Sequence, residues 1–156
     1  MKKLVHLAFR PAGLVLLLAI LASSFTSLNR GGEGFEIYLN HKILAQRFGT
    51  AMSQPPQITL TRADEGGQLA ITYYHCGQVA GKRVLSLQDD QGKTLREWKY
   101  ADASTASSFS GERAMGCKLA DLLPLLKRQT GALRLCYHSA ALSQPRTLAL
   151  LVWKPE

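Results

Sequence analysis

The sequence predicts a mainly β fold, namely a single antiparallel β-sandwich of about eight short strands with one short helix, preceded by a signal peptide. Three observations support this prediction. Apolar and polar residues alternate with a period of two in several segments, turn residues separate those segments, and only one segment carries apolar residues at helical spacing. The turns recur at about the interval that is typical of sandwiches and barrels.

The N-terminus has the layout of a secretory signal peptide. Basic residues precede an apolar run at 14–22, and the small residues Ala22 and Ser24 mark a cleavage site, so the predicted mature start is near Phe25, or alternatively Leu28. The run is short for a membrane span, which needs roughly 20 apolar residues, so an uncleaved anchor is only the alternative. The predicted organisation is a signal peptide at 1–24, a linker at 25–34 and a β-sandwich domain at 35–156.

The charge of the chain is moderately basic. The 19 Lys and Arg residues outnumber the 11 Asp and Glu residues, and loss of Lys2, Lys3 and Arg10 with the signal leaves 16 against 11, a net charge of +5. The basic residues are spread along the chain with no long run, which argues against a nucleic-acid partner. Cleavage leaves no predicted membrane span, and the expected location is the periplasm or the extracellular space.

Hairpins are predicted from the turns between the strand candidates. The eight candidates are FEIYLN, ILAQRF, QITLTR, QLAITYYH, KRVLSLQD, KTLREWKY, ALRLCYHS and RTLALLVW. The first two flank a short polar break at His41 and Lys42, the third and fourth flank ADEGG, and DQG joins the fifth to the sixth. Each of these three pairs is therefore expected to form a hairpin.

The single helix is predicted in the segment CKLADLLPLLKRQTG. Its leucines recur at helical spacing, Asp121 is expected to be the N-cap, and Pro124 is expected in the first turn, where a proline is tolerated. Gly131 stands where a C-terminal cap is expected. The 16 residues before this segment, 101–116, are predicted to form a mobile or ligand-binding loop.

Four segments, GEGFEIYLNHKIL, YYHCGQV, GKTLREWKYAD and MGCKLADLL, occur in that order. With them the chain resembles small exported all-β proteins of unknown function from Bacteroidota-type Gram-negative bacteria, over nearly all of its mature length. The resemblance implies a β-sandwich at the cell envelope or secreted from the cell. It implies no activity, and it transfers no catalytic residue.

Cys76, Cys117 and Cys136 remain after cleavage, and in an oxidising compartment two of them are expected to form a disulfide. Loop entropy does not decide which pair closes, because the three possible loops differ by about 1 kcal/mol in the chain-entropy model. Local context favours Cys76 with Cys117, since each lies beside a glycine at the end of an element.

A metal or redox site is the alternative use of these cysteines. Cys136 and His138 share one face of a strand, and either His75 or Cys76 would join them if the two strands were neighbours, giving three potential ligands for zinc or copper. The competing interpretation places these histidines near a sheet edge and Cys136 as a small apolar filler. No cofactor is predicted.

Enzymatic signatures are missing from the sequence, whereas the aromatic residues offer a candidate binding strip. No nucleophile elbow, zinc-protease motif or phosphate loop occurs, and no catalytic residue is assigned. Trp98, Tyr100 and Arg96 have the same parity on one strand and, if exposed, would suit a sugar or a protein partner; burial in the core is the alternative. The sequence thus predicts an exported, non-enzymatic binding or interaction module whose partner is a protein or glycan at the cell envelope.

Overall fold

The computed structural model describes residues 32–76, 80–102 and 114–155, and the strands within them form two packed sheets. The strands are β1 (Gly34–Leu39), β2 (Lys42–Phe48), β3 (Gln57–Thr61), β4 (Gln68–Tyr74), β5 (Arg83–Gln88), β6 (Thr94–Tyr100), β7 (Met115–Lys118), β8 (Leu133–His138) and β9 (Arg146–Lys154). Sheet A has the order β2-β1-β4-β7, and sheet B has the order β3-β9-β8-β5-β6. The predicted mainly β sandwich is confirmed, with nine strands in these ranges instead of eight.

Two of the predicted hairpins form because their turn residues accept a positive φ. Asn40 and His41 have φ values of 47° and 70° between β1 and β2, as a two-residue hairpin turn requires. Gly92 has a φ of 85° between β5 and β6. β8 and β9 also pair antiparallel.

The predicted pairing of β3 with β4 is wrong. The Asp64 carboxylate accepts hydrogen bonds from the backbone N and the hydroxyl of Thr61, at 2.8 and 3.1 Å, and so caps a 3₁₀ turn at Arg62–Asp64. This turn leads the chain out of sheet B, and β4 pairs with β1 and β7 in sheet A. The prediction was an antiparallel sandwich, but β3 lies parallel to β9.

The helix α1 (Leu119–Leu126) begins two residues before the predicted N-cap at Asp121. It follows β7 directly, with Lys118 as N-cap, and Pro124 lies inside the helix on its exposed side. The last two residues of the predicted loop, 115 and 116, begin β7, and residues 103–113 of that loop lie outside the described residues. So do the predicted signal peptide and most of the linker.

The core lies between the two sheets and under α1. Its largest fully buried side chains are Phe35, Ile37, Leu60, Leu69, Ile71, Leu85, Leu87, Met115, Leu119, Leu122, Leu126 and Tyr137. Burying one such side chain contributes about 1.5–3 kcal/mol, so this set dominates the stability of the domain. Among the described residues, no helix is long and apolar enough to cross a membrane.

Candidate functional site

The outer surface of sheet A carries a group of polar and aromatic side chains that the core does not use. Because side chains alternate along a strand, Glu36 and Tyr38 project from β1 on the side opposite to the buried Phe35 and Ile37. We name this surface the Glu36 face, and its members are Glu36, Tyr38, Gln46, Phe48 and Tyr74.

Glu36 lies at the centre of this face and is the acceptor of three side-chain hydrogen bonds. The hydroxyls of Tyr38 and Tyr74 donate to Oε2 over 2.7 and 2.9 Å, and Nε2 of Gln46 donates to Oε1 over 2.5 Å. Partial burial by itself raises the pKa of Glu36, but these three hydrogen bonds stabilise the carboxylate and lower its pKa overall. The face therefore carries an ionised carboxylate that holds its neighbours in place.

Phe48 is the exposed apolar member of the Glu36 face. It lies opposite Gly34 in the register of β1 and β2, and a Cβ atom at Gly34 would overlap the phenyl ring. The absence of that Cβ lets the ring lie across β1 and reach Tyr74, with 5.7 Å between the ring centroids. Phe48 is 45% exposed, and Ile43 at the far end of β2 is 52% exposed, so the face is flanked by accessible apolar surface.

A second polar cluster links the two sheets around His75. Nε2 of His75, which directly follows β4 of sheet A, lies 2.9 Å from the hydroxyl of Tyr137 in sheet B and 3.5 Å from Oγ of Ser139. The rings of Tyr73 and Tyr137 stack with centroids 4.4 Å apart. Burial lowers the pKa of His75 and raises the pKa of Tyr137. Since Tyr137 and Ser139 are fully buried, a substrate has no access to these hydroxyls.

Glu33 joins this cluster to the start of the domain. Its carboxylate accepts a hydrogen bond from the Tyr73 hydroxyl over 2.5 Å and one from Nη2 of Arg146 over 2.9 Å. Burial, together with the negative charge of Glu33, raises the pKa of Tyr73. These contacts connect the residue before β1 to the first residue of β9, which is a structural role.

The predicted metal ligands are not brought together. Cys136 and His138 share the outer side of sheet B, as predicted, but β4 belongs to sheet A and directs His75 toward the inner side of sheet B, against Tyr137. Sγ of Cys136 is buried and lies 3.6 Å from Oγ1 of Thr147. In the part of the chain that the structure describes, no group of three or more His, Cys, Asp or Glu residues could hold a metal ion.

The predicted disulfide is absent, and all three cysteines are free. Cys117 on β7 pairs in register with Leu69, and the strand from Leu69 to Tyr74 separates it from Cys76. Five steps along a strand span about 17 Å, whereas a disulfide needs Cα atoms within about 7 Å. Cys76 is exposed with a φ of 47°, and Cys117 is buried in the core, where desolvation raises its pKa to about 12.

Trp98, Tyr100 and Arg96 lie on β6 but do not form an exposed aromatic strip. Trp98 and Tyr100 are half-buried and pack against the core, and the Tyr100 hydroxyl donates to the backbone oxygen of Gly116 over 2.7 Å. Arg96 is exposed, lies 5.9 Å from the Trp98 ring centroid and faces Asp121 at 3.8 Å. Their role in binding stays a prediction. In the structure these side chains hold β6 against β7 and α1.

Sequence reasoning missed the Glu36 face. The alternation in FEIYLN placed Glu36 and Tyr38 on the polar side of β1, which was the available signal. Gln46 and Tyr74 could not be added to them, because their neighbourhood depends on the register of β2 and β4 against β1. No protein-family model matches the chain, and no curated protein matches it significantly.

Proposed function

We propose that the chain is an exported, non-enzymatic binding or interaction module that works in the periplasm or outside the cell, and that the Glu36 face is its binding surface. The observation that carries the proposal is the Glu36 hydrogen-bond network. Two tyrosine hydroxyls and an amide are held on a partly exposed carboxylate beside an exposed phenyl ring. Aromatic side chains held rigidly at a surface supply contact area at low entropic cost, as binding surfaces require.

The buried state of the His75 cluster supports the non-enzymatic half of the proposal. The hydroxyls of Tyr137 and Ser139 lie 2.9 and 3.5 Å from Nε2 of His75, and both residues are fully buried. The alternative, a metal- or redox-linked module, would have to use Cys136 and His138 without His75, and no observation favours it.

Export is tested by expressing the full chain in a Gram-negative host, separating the cell fractions and measuring the mass of the purified protein. The expected result is a periplasmic or secreted product that lacks residues 1–24. A full-length product in the cytoplasm would contradict export.

Binding is tested by sedimenting the mature protein with a cell-envelope preparation. The double variant Glu36→Gln/Phe48→Ala is expected to stay in the supernatant, while wild type is retained. Glu97→Gln removes an exposed carboxylate from β6 in sheet B and is the matched control. Equal retention of all three proteins would contradict the assignment of this face, and turnover in hydrolase or esterase assays would contradict the non-enzymatic class.

A further inference from the structure

The strand β6 is an edge of sheet B, and in the described part of the chain no strand bonds to its outer side. Just after β5, the backbone N of Asp89 donates to the backbone oxygen of Lys93 over 3.0 Å, so the odd-numbered residues of β5 bond to β6. Trp98 stands opposite one of them and bonds to β5. Glu97 and Lys99, on either side of Trp98, therefore direct their backbone N–H and C=O groups away from the sheet.

Two side chains of opposite charge stand at this edge. Glu97 and Lys99 are exposed and, being two residues apart, project from the same outer side of sheet B. The two residues of β5 that stand opposite them are uncharged. Among the described residues, neither side chain has an ion-pair partner. Arg96, the third charged residue of β6, lies on the inner side and faces Asp121 at 3.8 Å.

The other edge strands of the two sheets do not carry both signs of charge. β2 contains Lys42 and Arg47 and no acidic residue, β3 contains no charged residue, and the charged residue of β7 is Lys118. Two copies of β2 or of β7 paired with each other would therefore gather like charges, which destabilise a sheet. Among these four edges, β6 is the one that can complement itself.

We propose that β6 pairs in the antiparallel direction with β6 of a second copy of this chain, about a two-fold axis at Trp98, and so forms a homodimer. In this register Glu97 of each copy stands opposite Lys99 of the other, and each such pair exchanges two backbone N–H···O bonds. The side chains of these pairs form ion pairs on the outer side of sheet B. The pairing does not involve the Glu36 face, which lies on sheet A.

Charge selects this register among the symmetric alternatives. A two-fold axis at Glu97 would set that carboxylate opposite its own copy, and an axis at Lys99 would set two ammonium groups opposite each other. Like charges directly opposite destabilise a sheet, whereas opposite charges stabilise it. The inner side agrees with the axis at Trp98, because the two Trp98 rings then stand opposite each other and Arg96 stands opposite Tyr100 of the second copy, as aromatic and cation–π pairs require.

The pairing closes at two copies. Each copy contributes the same strand to a two-fold interface, so no edge of β6 remains for a third copy. Leu95 is an extra residue of β6 in its register with β5, and such a bulge interrupts regular pairing. The paired segment is therefore short, residues 96–100, and a small interface of this kind predicts a dissociation constant of about 1–100 µM.

The experiment measures self-association of the mature protein by sedimentation velocity at about 1–500 µM, a range that brackets this dissociation constant. The mass is expected to rise from monomer toward dimer with concentration. Hydrogen exchange followed by NMR is expected to be fast at the amides of Glu97 and Lys99 in dilute protein and slow in concentrated protein, because the dimer bonds these groups. A monomer at every concentration would overturn the proposal, and so would a dimer in which these amides still exchange fast.

Charge-reversal variants test the register. Glu97→Lys and Lys99→Glu each set like charges opposite one another in the symmetric dimer, so each is expected to weaken self-association about tenfold or more. An equimolar mixture of the two variants again sets opposite charges together and is expected to associate like wild type, which would also show that both variants fold. Lys42→Glu makes the same charge change on β2 and is expected to leave the dimer unchanged. A mixture that associates no better than either variant alone would overturn the register, and loss of the dimer in Lys42→Glu would overturn the assignment to β6.

Dimerisation and binding by the Glu36 face are tested separately. The double variant Glu36→Gln/Phe48→Ala is expected to dimerise like wild type, and loss of the dimer in this variant would contradict an interface on sheet B. In the envelope assay, a protein concentration below the dimer dissociation constant keeps both wild type and Glu97→Gln monomeric. Glu97→Gln therefore remains the matched control of that assay.

Discussion

Replacing Tyr137 by phenylalanine tests whether the His75 cluster holds the two sheets together. The side chain of Tyr137 is fully buried, its hydroxyl lies 2.9 Å from Nε2 of His75, and its ring stacks on Tyr73. Tyr137→Phe removes the hydroxyl and keeps the stack. A buried hydrogen bond contributes about 1 kcal/mol net, and His75 is half-exposed, so water can compensate part of its loss. The free energy of unfolding is therefore expected to fall by about 1 kcal/mol.

The assay is thermal and urea unfolding of the mature protein at pH 7.5, with the wild type measured in parallel. For a domain of this size a loss of 1 kcal/mol lowers Tm by about 3–6 °C. Tyr137→Leu removes the stack as well and is expected to cost about 1 kcal/mol or more beyond Tyr137→Phe. If Tyr137→Phe were as stable as wild type, the hydroxyl would not link the sheets, and the reasoning about this cluster would be wrong.

Three further predictions follow from the same structure. Burial lowers the pKa of His75, so the unfolded chain binds more protons just below the ordinary histidine pKa of about 6.5, and urea midpoints are expected to begin to fall there. In His75→Gln the fall is expected to begin only at the lower pH where carboxylates such as Glu36, whose pKa is also lowered, become protonated. Gly34→Ala is expected to displace the Phe48 ring, seen as loss of nuclear Overhauser contacts between Phe48 and Tyr74; unchanged contacts would contradict the packing. Thiol titration is expected to find one reactive thiol, Cys76, in the native protein and three after denaturation, whereas one after denaturation would indicate a disulfide.

Local signals predicted the parts of the fold that depend on neighbouring residues. The β1–β2 hairpin depends on two residues that accept positive φ, and the β5–β6 hairpin depends on Gly92, so both could be identified from the turns. The period of two separated Phe35 and Ile37 from Glu36 and Tyr38 correctly. The helix was found from its leucines, but its start was misplaced, because the burial of Leu119 under the sheets outweighed the capping preference of Asp121.

Contacts between distant segments could not be derived in this way. A strand shows which residues share a side, but it does not show which strand lies beside it, because pairing depends on the burial achieved by the whole chain. The disulfide prediction failed for this reason, since β7 pairs with the opposite end of β4 from Cys76. The predicted metal ligands are not gathered, because His75 follows β4 of sheet A, whereas Cys136 lies on β8 of sheet B.

The sequence by itself determined the mainly β class, the β1–β2 and β5–β6 hairpins and the alternation of core and surface positions, because each follows from backbone geometry within a few residues. Only the tertiary structure decided that β3 lies parallel to β9 and that Gln46 and Tyr74 meet at Glu36. The contact of Glu36 with Gln46 joins residues 10 positions apart, and the contact with Tyr74 joins residues 38 positions apart. Packing of the two sheets selects the strand register that brings these residues together. The Glu36 face is therefore a product of register, and its chemistry became visible only when three strands were aligned.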